Sequence, residues 1–242
     1  MALPAYAAAG LGWLNSPDAA IIGALMLLVP GLLITNSMRD IIYGDTNSGI
    51  FRIVSVVLSA LAIALGTAAA WQLTAGLYGR TGSAIVSWPA WVQAIAVFVG
   101  CCGFCILFNT HGRGMVLCMM GGAASWMLYL LCRALGCDVY TANLFAALLA
   151  AVYAETMARV RRCPAMPYLV IAILPMLPGA GVYYTMSLGL EGKTIEAVAK
   201  GLETLGIAGS LAVGILLVST VFRLVTWRGE KAGKRAEACL LY

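Results

Sequence analysis

The chain has 242 residues, of which 62% are hydrophobic and 10% are charged, and its mean hydropathy is +0.93. Soluble domains carry about 25% charged and about 45–50% apolar residues, so a soluble fold of this size cannot bury so much apolar surface. This composition excludes a cytosolic enzyme, a secreted disulfide scaffold and a nucleic-acid-binding module. The net charge of +5 comes from basic residues between hydrophobic blocks, a pattern typical of membrane topology determinants.

An apolar stretch of about 20 residues crosses the hydrocarbon core of a bilayer as a helix. Seven such stretches follow a short N-terminal segment, 1–18, which lacks the charged start of a signal peptide. A basic tail, 227–242, follows the last of them. We therefore predict an all-α polytopic membrane protein with helices at about 19–36, 51–74, 89–108, 114–132, 141–158, 165–188 and 204–226.

Lysine and arginine are divided unevenly between the loops on the two sides of these helices. Because basic residues are retained on the cytoplasmic side, the richer side predicts a cytoplasmic C-terminus and an N-terminus outside the cell. That side receives Arg39, Arg52, Arg113, Arg159, Arg161, Arg162, Arg223, Arg228, Lys231, Lys234 and Arg235. The other side receives Arg80, Arg133, Lys193 and Lys200.

Two of the predicted helices are interrupted by proline followed by glycine. Pro30-Gly31 lies in the first helix, and Pro178-Gly179 lies in the sixth, shortly after Pro175. Proline removes a backbone donor and glycine permits unusual dihedral angles, so both helices should break there. In lipid, the freed backbone groups need a partner from protein, water or a ligand.

The two breaks belong to an internal repeat. A shift of 148 positions aligns a partial first repeat, 19–75, with the end of a second repeat, 85–226. Five helices separate the starts of the two copies, so the copies should cross the membrane in opposite directions. Broken helices at matching places of inverted copies indicate the binding site of a secondary transporter. The shift aligns Pro30 with Pro178, Gly31 with Gly179, Met38 with Met186, Gly44 with Gly192, Thr46 with Thr194, Arg52 with Lys200 and Gly66 with Gly214.

The repeat predicts more helices than the chain shows. Three helices precede the second broken helix within its copy, whereas only about 18 residues precede the first. Two interpretations remain open: the chain is an N-terminally shortened product, or a second polypeptide supplies three helices. A homo-oligomer is a further possible assembly.

Both broken regions resemble the threonine/serine exporter family. The stretch SPDAAIIGALMLLVPGLLITNSMRDIIYGDTNSGIFR resembles the end of its N-terminal half, and the chain from Trp88 onward resembles its C-terminal half. The resemblance covers roughly residues 16–226. It rests on the two ProGly helices, the cluster Asn36, Arg39 and Asp40, and the segment with Glu155, Arg159 and Pro164.

This resemblance implies a bacterial inner-membrane antiporter that exports threonine and serine with the proton gradient. The full single-chain form of the family has ten helices, so the resemblance implies that the first three are missing here. The alternative hypothesis is therefore a non-transporting or partner-dependent membrane subunit derived from a full-length exporter.

Candidate substrate contacts lie next to the two breaks. Asn36 and Asp40 are four residues apart on one helix face, where they can take the ammonium and hydroxyl of an amino acid, and Asp40 can also carry the coupling proton. The alternative is an interfacial cap. In the second copy the candidate is Tyr183, although tyrosine near a helix end is also typical of the interfacial belt. Backbone groups at Gly31 and Gly179 are favoured for the carboxylate.

Other candidates have an equally plausible structural interpretation. Glu155 is an intramembrane carboxylate that can carry a proton, or it pairs with Arg159 one turn later. Gln93 faces a cavity or forms an interhelical hydrogen bond. Cys101 and Cys105 hold a soft metal or pack as small side chains, and packing is favoured. No Walker loop, GxSxG or HExxH motif occurs, so neither an enzyme, a cofactor, a metal site nor a nucleic-acid partner is predicted.

The segment EGKTIEAVAKGLETL predicts a separate amphipathic helix on the outer surface. Its predicted apolar face comprises Ile195, Val198, Ala199 and Leu202, and its polar face comprises Lys193, Glu196, Lys200 and Glu203.

The charge distribution leads to a test of orientation. A reporter that is active only in the periplasm should be inactive when fused after Tyr242, because the basic loops hold this end in the cytoplasm. A fusion in the loop after Arg133 serves as the control and should be active. Activity of the C-terminal fusion would contradict the predicted orientation.

Overall fold

The computed structural model describes residues 2–11, 23, 31–78 and 88–240, and nearly all of them are helical. No strand occurs in these ranges, and the predicted all-α class is confirmed. The helices are α1 (Ala2–Gly10), α2 (Gly31–Ile42), α3 (Thr46–Tyr78), α4 (Ala90–Leu107), α5 (Arg113–Ala134), α6 (Val139–Arg161), α7 (Met166–Ile173), α8 (Gly179–Leu190) and α9 (Thr194–Leu240). A 3-10 turn, Leu174–Met176, continues α7.

Five of the described helices are long and apolar enough to cross a membrane, so the chain is a multi-pass membrane protein. The pair Met166–Met176 and Gly179–Leu190 makes a sixth candidate if its two bent halves count as one span. These six elements correspond to six of the seven predicted spans. The first predicted span, 19–36, lies mostly outside the described residues, so the count of seven stays a prediction.

The predicted break of the sixth span is present. The 3-10 turn Leu174–Met176 ends the first half, and α8 begins at Gly179 directly after Pro178. The backbone N–H of Gly179 bonds to the carbonyl of Leu177 at 2.8 Å, which turns the chain sharply between the two halves. Pro30, the matching residue of the first copy, lies outside the described residues.

An N-terminal helix was not predicted within 1–18. Tyr6 and Ala9 of α1 are buried, and Tyr6 packs against Ala70 of α3. This helix has nine residues, whereas a membrane span has about 20, so hydropathy over the length of a span does not predict it. The shift of 148 maps α1 onto residues 150–158, which lie within α6.

The predicted separate surface helix at 191–205 is wrong. Residues from Thr194 onward are the first turns of α9, whose membrane-crossing part is Thr194–Val225. The side chains that pack inward are the small Ala197, Thr204 and Ala208, whereas Ile195 is 87% exposed. Small residues allow close contact between helices in a membrane. They therefore form the packed face of α9, although larger apolar residues dominate the sequence pattern that predicted a separate helix.

Five helix ends use the same backbone device. In a Schellman motif, a residue with positive φ lets two backbone N–H groups reach back to carbonyls of the last turn. The described ends of α2, α4, α5, α6 and α8 each carry this pair of hydrogen bonds. The connections after these five helices are therefore tight. In the last turn of each helix, two carbonyl groups accept hydrogen bonds from the chain itself. The residues with positive φ are Gly44, Asn109, Gly136, Arg162 and Gly192.

The turns that follow α2 and α8 match at the shift of 148. The described residues of α2 end at Ile42, and α8 ends at the equivalent Leu190. The turns after them make the same hydrogen bonds, and α3 and α9 begin at Thr46 and Thr194. The opposite membrane direction of the two copies stays a prediction.

The chain divides into two compact units. The first unit, 1–89 with 177–209, has a core in which equivalent residues of the two copies lie together: Ile34 with Val182 and Ala60 with Ala208. The predicted domain boundaries follow the copies and not these units, and they stay predictions.

The second unit, 90–176 with 210–242, is held together by small side chains. Its core contains Cys101 and Cys105, and Cys105 Sγ lies 3.7 Å from the carbonyl oxygen of Met115 as a weak donor. Among the described residues, no group of three or more His, Cys, Asp or Glu side chains is arranged to hold a metal. One helix, α6, presents a buried alanine face: Ala142, Ala146, Ala147, Ala150, Ala151 and Ala154.

A matched pair of glycines tests this packing. A Cβ added at Gly214 would lie 2.9 Å from Ala147 Cβ, whereas one added at Gly66, its equivalent in the first copy, meets nothing within 4 Å. Gly214→Ala should lower the free energy of unfolding by about 1–3 kcal/mol through overpacking. Gly66→Ala should leave it unchanged or raise it by about 0.5–1 kcal/mol. Thermal unfolding in detergent measures both, and equal midpoints would contradict the packing.

Candidate functional site

Gly31, the first described residue of α2, and Gly179, the first residue of α8, lie in contact within the first unit. A Cβ added at Gly31 would lie 3.1 Å from Leu177 Cβ and 3.4 Å from both Cα and the backbone N of Gly179. Gly31 itself is buried. The two predicted break sites are therefore in contact, and only a residue without a side chain fits at Gly31 without displacing its neighbours.

The structure makes Gly179 the N-terminus of a helix after Pro178, and the sequence predicts the same for Gly31 after Pro30. Each helix N-terminus carries a partial charge of roughly +0.5 and backbone N–H groups that have no partner within the helix. Two such ends repel each other, and N–H groups left without a partner are costly in a membrane. At the start of α8, the N–H of Gly179 already bonds to the carbonyl of Leu177. An anionic group between the two ends removes both penalties, because helix N-termini bind carboxylates and phosphates.

Hydroxyl groups bond to or lie against residues in the first turn of α2 and of α8. Thr35 donates to the carbonyl of Gly31 at 3.1 Å, and Thr185 donates to that of Gly181 at 2.7 Å. Thr204 of α9 is buried, donates to Lys200, and its side chain occupies the space that a Cβ at Gly181 would need. A hydroxyl that donates to a carbonyl keeps its oxygen as an acceptor. Sequence reasoning missed Thr35 and Thr204, for which no motif gives a signal.

Tyr183 is buried in the first turns of α8. Its ring lies 5.5 Å from the ring of Tyr184 in an edge-to-face arrangement, and Tyr184 is partly exposed. An interfacial belt residue is expected to be exposed to the headgroups. The burial of Tyr183 therefore favours a place among the packed residues near the break.

Asp40 lies away from the glycine contact. It is nine residues beyond Gly31, which corresponds to about 13 Å along the axis of α2. Its Oδ2 lies 3.2 Å from Arg52 Nε of α3, and this buried oxygen accepts no hydrogen bond, so the contact is an ion pair only. Asn36 is half-buried, one turn before Asp40 and closer to the break.

The two copies differ in how they use the equivalent basic residue. Arg52 pairs across the turn with Asp40, whereas Lys200 pairs along its own helix with Glu203 at 2.8 Å. The shift of 148 places Leu188 where the first copy has Asp40. In the corresponding turn of the second copy, Lys193 Nζ donates to Glu191 Oε2 at 2.8 Å, and this hydrogen bond raises the pKa of the Lys193 ammonium group.

The remaining predicted site residues, Glu155 and Gln93, belong to the second unit. Glu155 Oε2 accepts from Arg159 Nη1 at 2.6 Å, and the Arg159 guanidinium also lies 4.4 Å from the ring centre of Phe222. The ion-pair interpretation of Glu155 is thus realised. Gln93 is half-buried on α4. The structure brings Gly31 and Gly179 into contact, and it gives each of the two candidate carboxylates an arginine.

Two family models match the chain. A model described as "Threonine/Serine exporter, ThrE" matches residues 93–221, and one described as "Putative threonine/serine exporter" matches residues 1–74. The second match includes α1, which the resemblance read from the sequence, beginning near residue 16, left out. No curated protein and no solved structure matches.

Proposed function

The chain belongs to the threonine/serine exporter family, and we propose that it is a secondary transporter that exports threonine, serine and similar small neutral amino acids. The observation that carries the proposal is the contact between the N-termini of α2 and α8 at Gly31 and Gly179. These ends offer backbone N–H donors and a positive potential to one carboxylate. Every amino-acid substrate carries that group.

The surrounding groups suit a zwitterion without a side-chain charge. The hydroxyl oxygens of Thr35, Thr185 and Thr204 can accept hydrogen bonds from an ammonium group, and the helix ends take the carboxylate. Asn36 adds an amide that can both donate and accept, which suits a substrate hydroxyl. Binding of this kind leaves no buried charge unpaired when the substrate departs.

We place the coupling proton on Asp40. Its carboxylate is the one charge of the first copy for which the second copy has an apolar residue, Leu188, and it joins α2 to α3 through Arg52. Protonation removes the negative charge and weakens this link, so proton binding and movement of α2 are coupled. In this proposal, the substrate is exported while protons move inward, which is antiport. Glu155, paired with Arg159, is the second candidate for the proton.

The setting proposed for this activity is the bacterial inner membrane, with the N-terminus outside and the C-terminus in the cytoplasm. A second chain that supplies three helices, or a second copy of this chain, completes the site in the partner-dependent form of the proposal. The purified chain alone tests for a different second chain, because a form that needs one does not transport in vesicles that contain no other protein, whereas a single copy or a homo-oligomer does.

Transport by purified protein in vesicles tests the coupling. With an imposed pH gradient, Asp40→Asn should lower gradient-driven threonine uptake at least about fivefold, the lower end of typical couplings between sites. Threonine–threonine exchange should persist, because exchange needs no net proton movement.

Asp45→Asn is the matched control. Asp45 lies in the same turn, is exposed and accepts from the backbone N–H of Ser48, a role that asparagine also fills. This variant should keep both activities. Undiminished gradient-driven uptake by Asp40→Asn would contradict the proton assignment, and the same loss in Glu155→Gln alone would move it to Glu155.

A further inference from the structure

Two cysteines occupy facing positions at the end of α5. The N–H of Cys137 bonds to the carbonyl of Cys132 at 3.0 Å, and the N–H of Gly136 bonds to that of Arg133 at 3.2 Å. These are the two hydrogen bonds of a Schellman motif, in which the side chains of the first and last bonded residues commonly touch. Gly136 has a φ of 87°, the left-handed backbone that the motif requires.

The backbone bond between the two residues brings their side chains to neighbouring positions, and both cysteines are free thiols in the structure. Cys132 is buried, whereas Cys137 is partly exposed. Arg133 holds the turn from outside by donating from Nη1 to the carbonyl of Cys137 at 2.9 Å. The backbone bond keeps the two residues at the short separation that a disulfide needs.

The pairing is confined to one of the five Schellman ends described above. Cys105 faces Thr110 at the end of α4, and Cys163 faces Ala158 at the end of α6. Both of these ends lie on the predicted cytoplasmic side. The turn with two cysteines lies on the predicted outer side, where thiols meet an oxidising environment.

We propose that Cys132 and Cys137 form a disulfide that closes the turn between α5 and α6 on the extracytoplasmic face. The inference rests on the predicted orientation of the chain and is independent of the transport proposal. The disulfide fixes the end of α5 next to Asp138, which accepts from the N–H of Tyr140 at the start of α6. The helix hairpin then cannot open at this end without reduction.

The oxidant is a protein disulfide of the extracytoplasmic compartment. The exposed Cys137 thiolate attacks one sulfur of that disulfide, forms a mixed disulfide and releases one thiolate of the oxidant. The Cys132 thiolate then attacks the Cys137 sulfur and releases the second thiolate. The pair loses two electrons and two protons, and the oxidant's disulfide becomes a dithiol.

Digestion with trypsin tests for this disulfide directly. Arg133 lies between the two cysteines, so cleavage places Cys132 in the peptide 114–133 and Cys137 in the peptide 134–159. Membranes from growing cells are alkylated with N-ethylmaleimide under denaturing conditions and digested without reductant. We expect the two peptides as one linked species, two hydrogens lighter than their sum, which dithiothreitol separates.

Variants assign the bond. The peptide 114–133 also contains Cys118, so the linked species should persist in Cys118→Ser and vanish in Cys132→Ser and in Cys137→Ser. Unlinked, alkylated peptides from wild-type membranes would overturn the proposal whether or not the variants fold. If oxidised glutathione then links the peptides in the purified protein, the proximity of the thiols holds but the turn faces a reducing compartment, which also overturns it.

Discussion

A helix that breaks inside a membrane leaves backbone N–H groups that hydrocarbon cannot satisfy, and the architecture of the first unit answers this constraint. The chain brings the starts of α2 and α8 into contact, so that one polar group placed there can serve both ends. Gly31 permits the approach, because a Cβ at this position would press against Leu177 and the backbone of Gly179. In the proposed function, an anionic partner at these two helix starts links the fold to a substrate with a carboxylate.

The rest of the packing keeps these helix starts in place with small side chains. Lipid tails are as apolar as leucine, so helices in a membrane gain from close contact more than from hydrophobicity. Ala60 and Ala208, which are equivalent in the two copies, pack in one core with Ile34 and Val182. The larger apolar side chains, such as Leu58 and Leu65, remain exposed and available to lipid. Tight Schellman turns then close the hairpins with little chain outside the helices.

Much of the fold follows from hydropathy and from the positions of proline and glycine. The described spans, the break after Pro178 and the shift of 148 are all visible in the sequence, since each depends on local backbone rules. The features that the sequence did not predict depend on contacts between helices instead. The helix α1 is too short for a span, and the packed face of α9 consists of small residues such as Ala197 and Thr204. The ion pair of Asp40 with Arg52 joins two helices across a turn, a contact for which the repeat offers no counterpart.

The site was partly predictable for the same reason. Gly31 and Gly179 stand out because ProGly is rare in apolar helices and recurs at one spacing. Thr35 and Thr204 are ordinary residues in the sequence, and only the folded chain shows their hydroxyls next to the break. Asp40 stands out as a charge, yet the structure places it at the far end of α2 with an arginine. The charge of Asp40 therefore indicated an ion pair, whereas Gly31 and Gly179 indicated the place where the two helices touch.

Calorimetric affinity for L-threonine and for threoninol, which keeps the amine and hydroxyl but lacks the carboxylate, tests the central claim most directly. The purified protein should bind threonine about tenfold or more tightly, since hydrogen bonds to a charged group are worth about 1.5–3 kcal/mol. Gly31→Val should lose this preference, and the matched Gly66→Val, which has open space for a side chain, should keep it. Equal affinity for the two compounds, or an unchanged preference in Gly31→Val, would contradict a carboxylate site at the two helix starts.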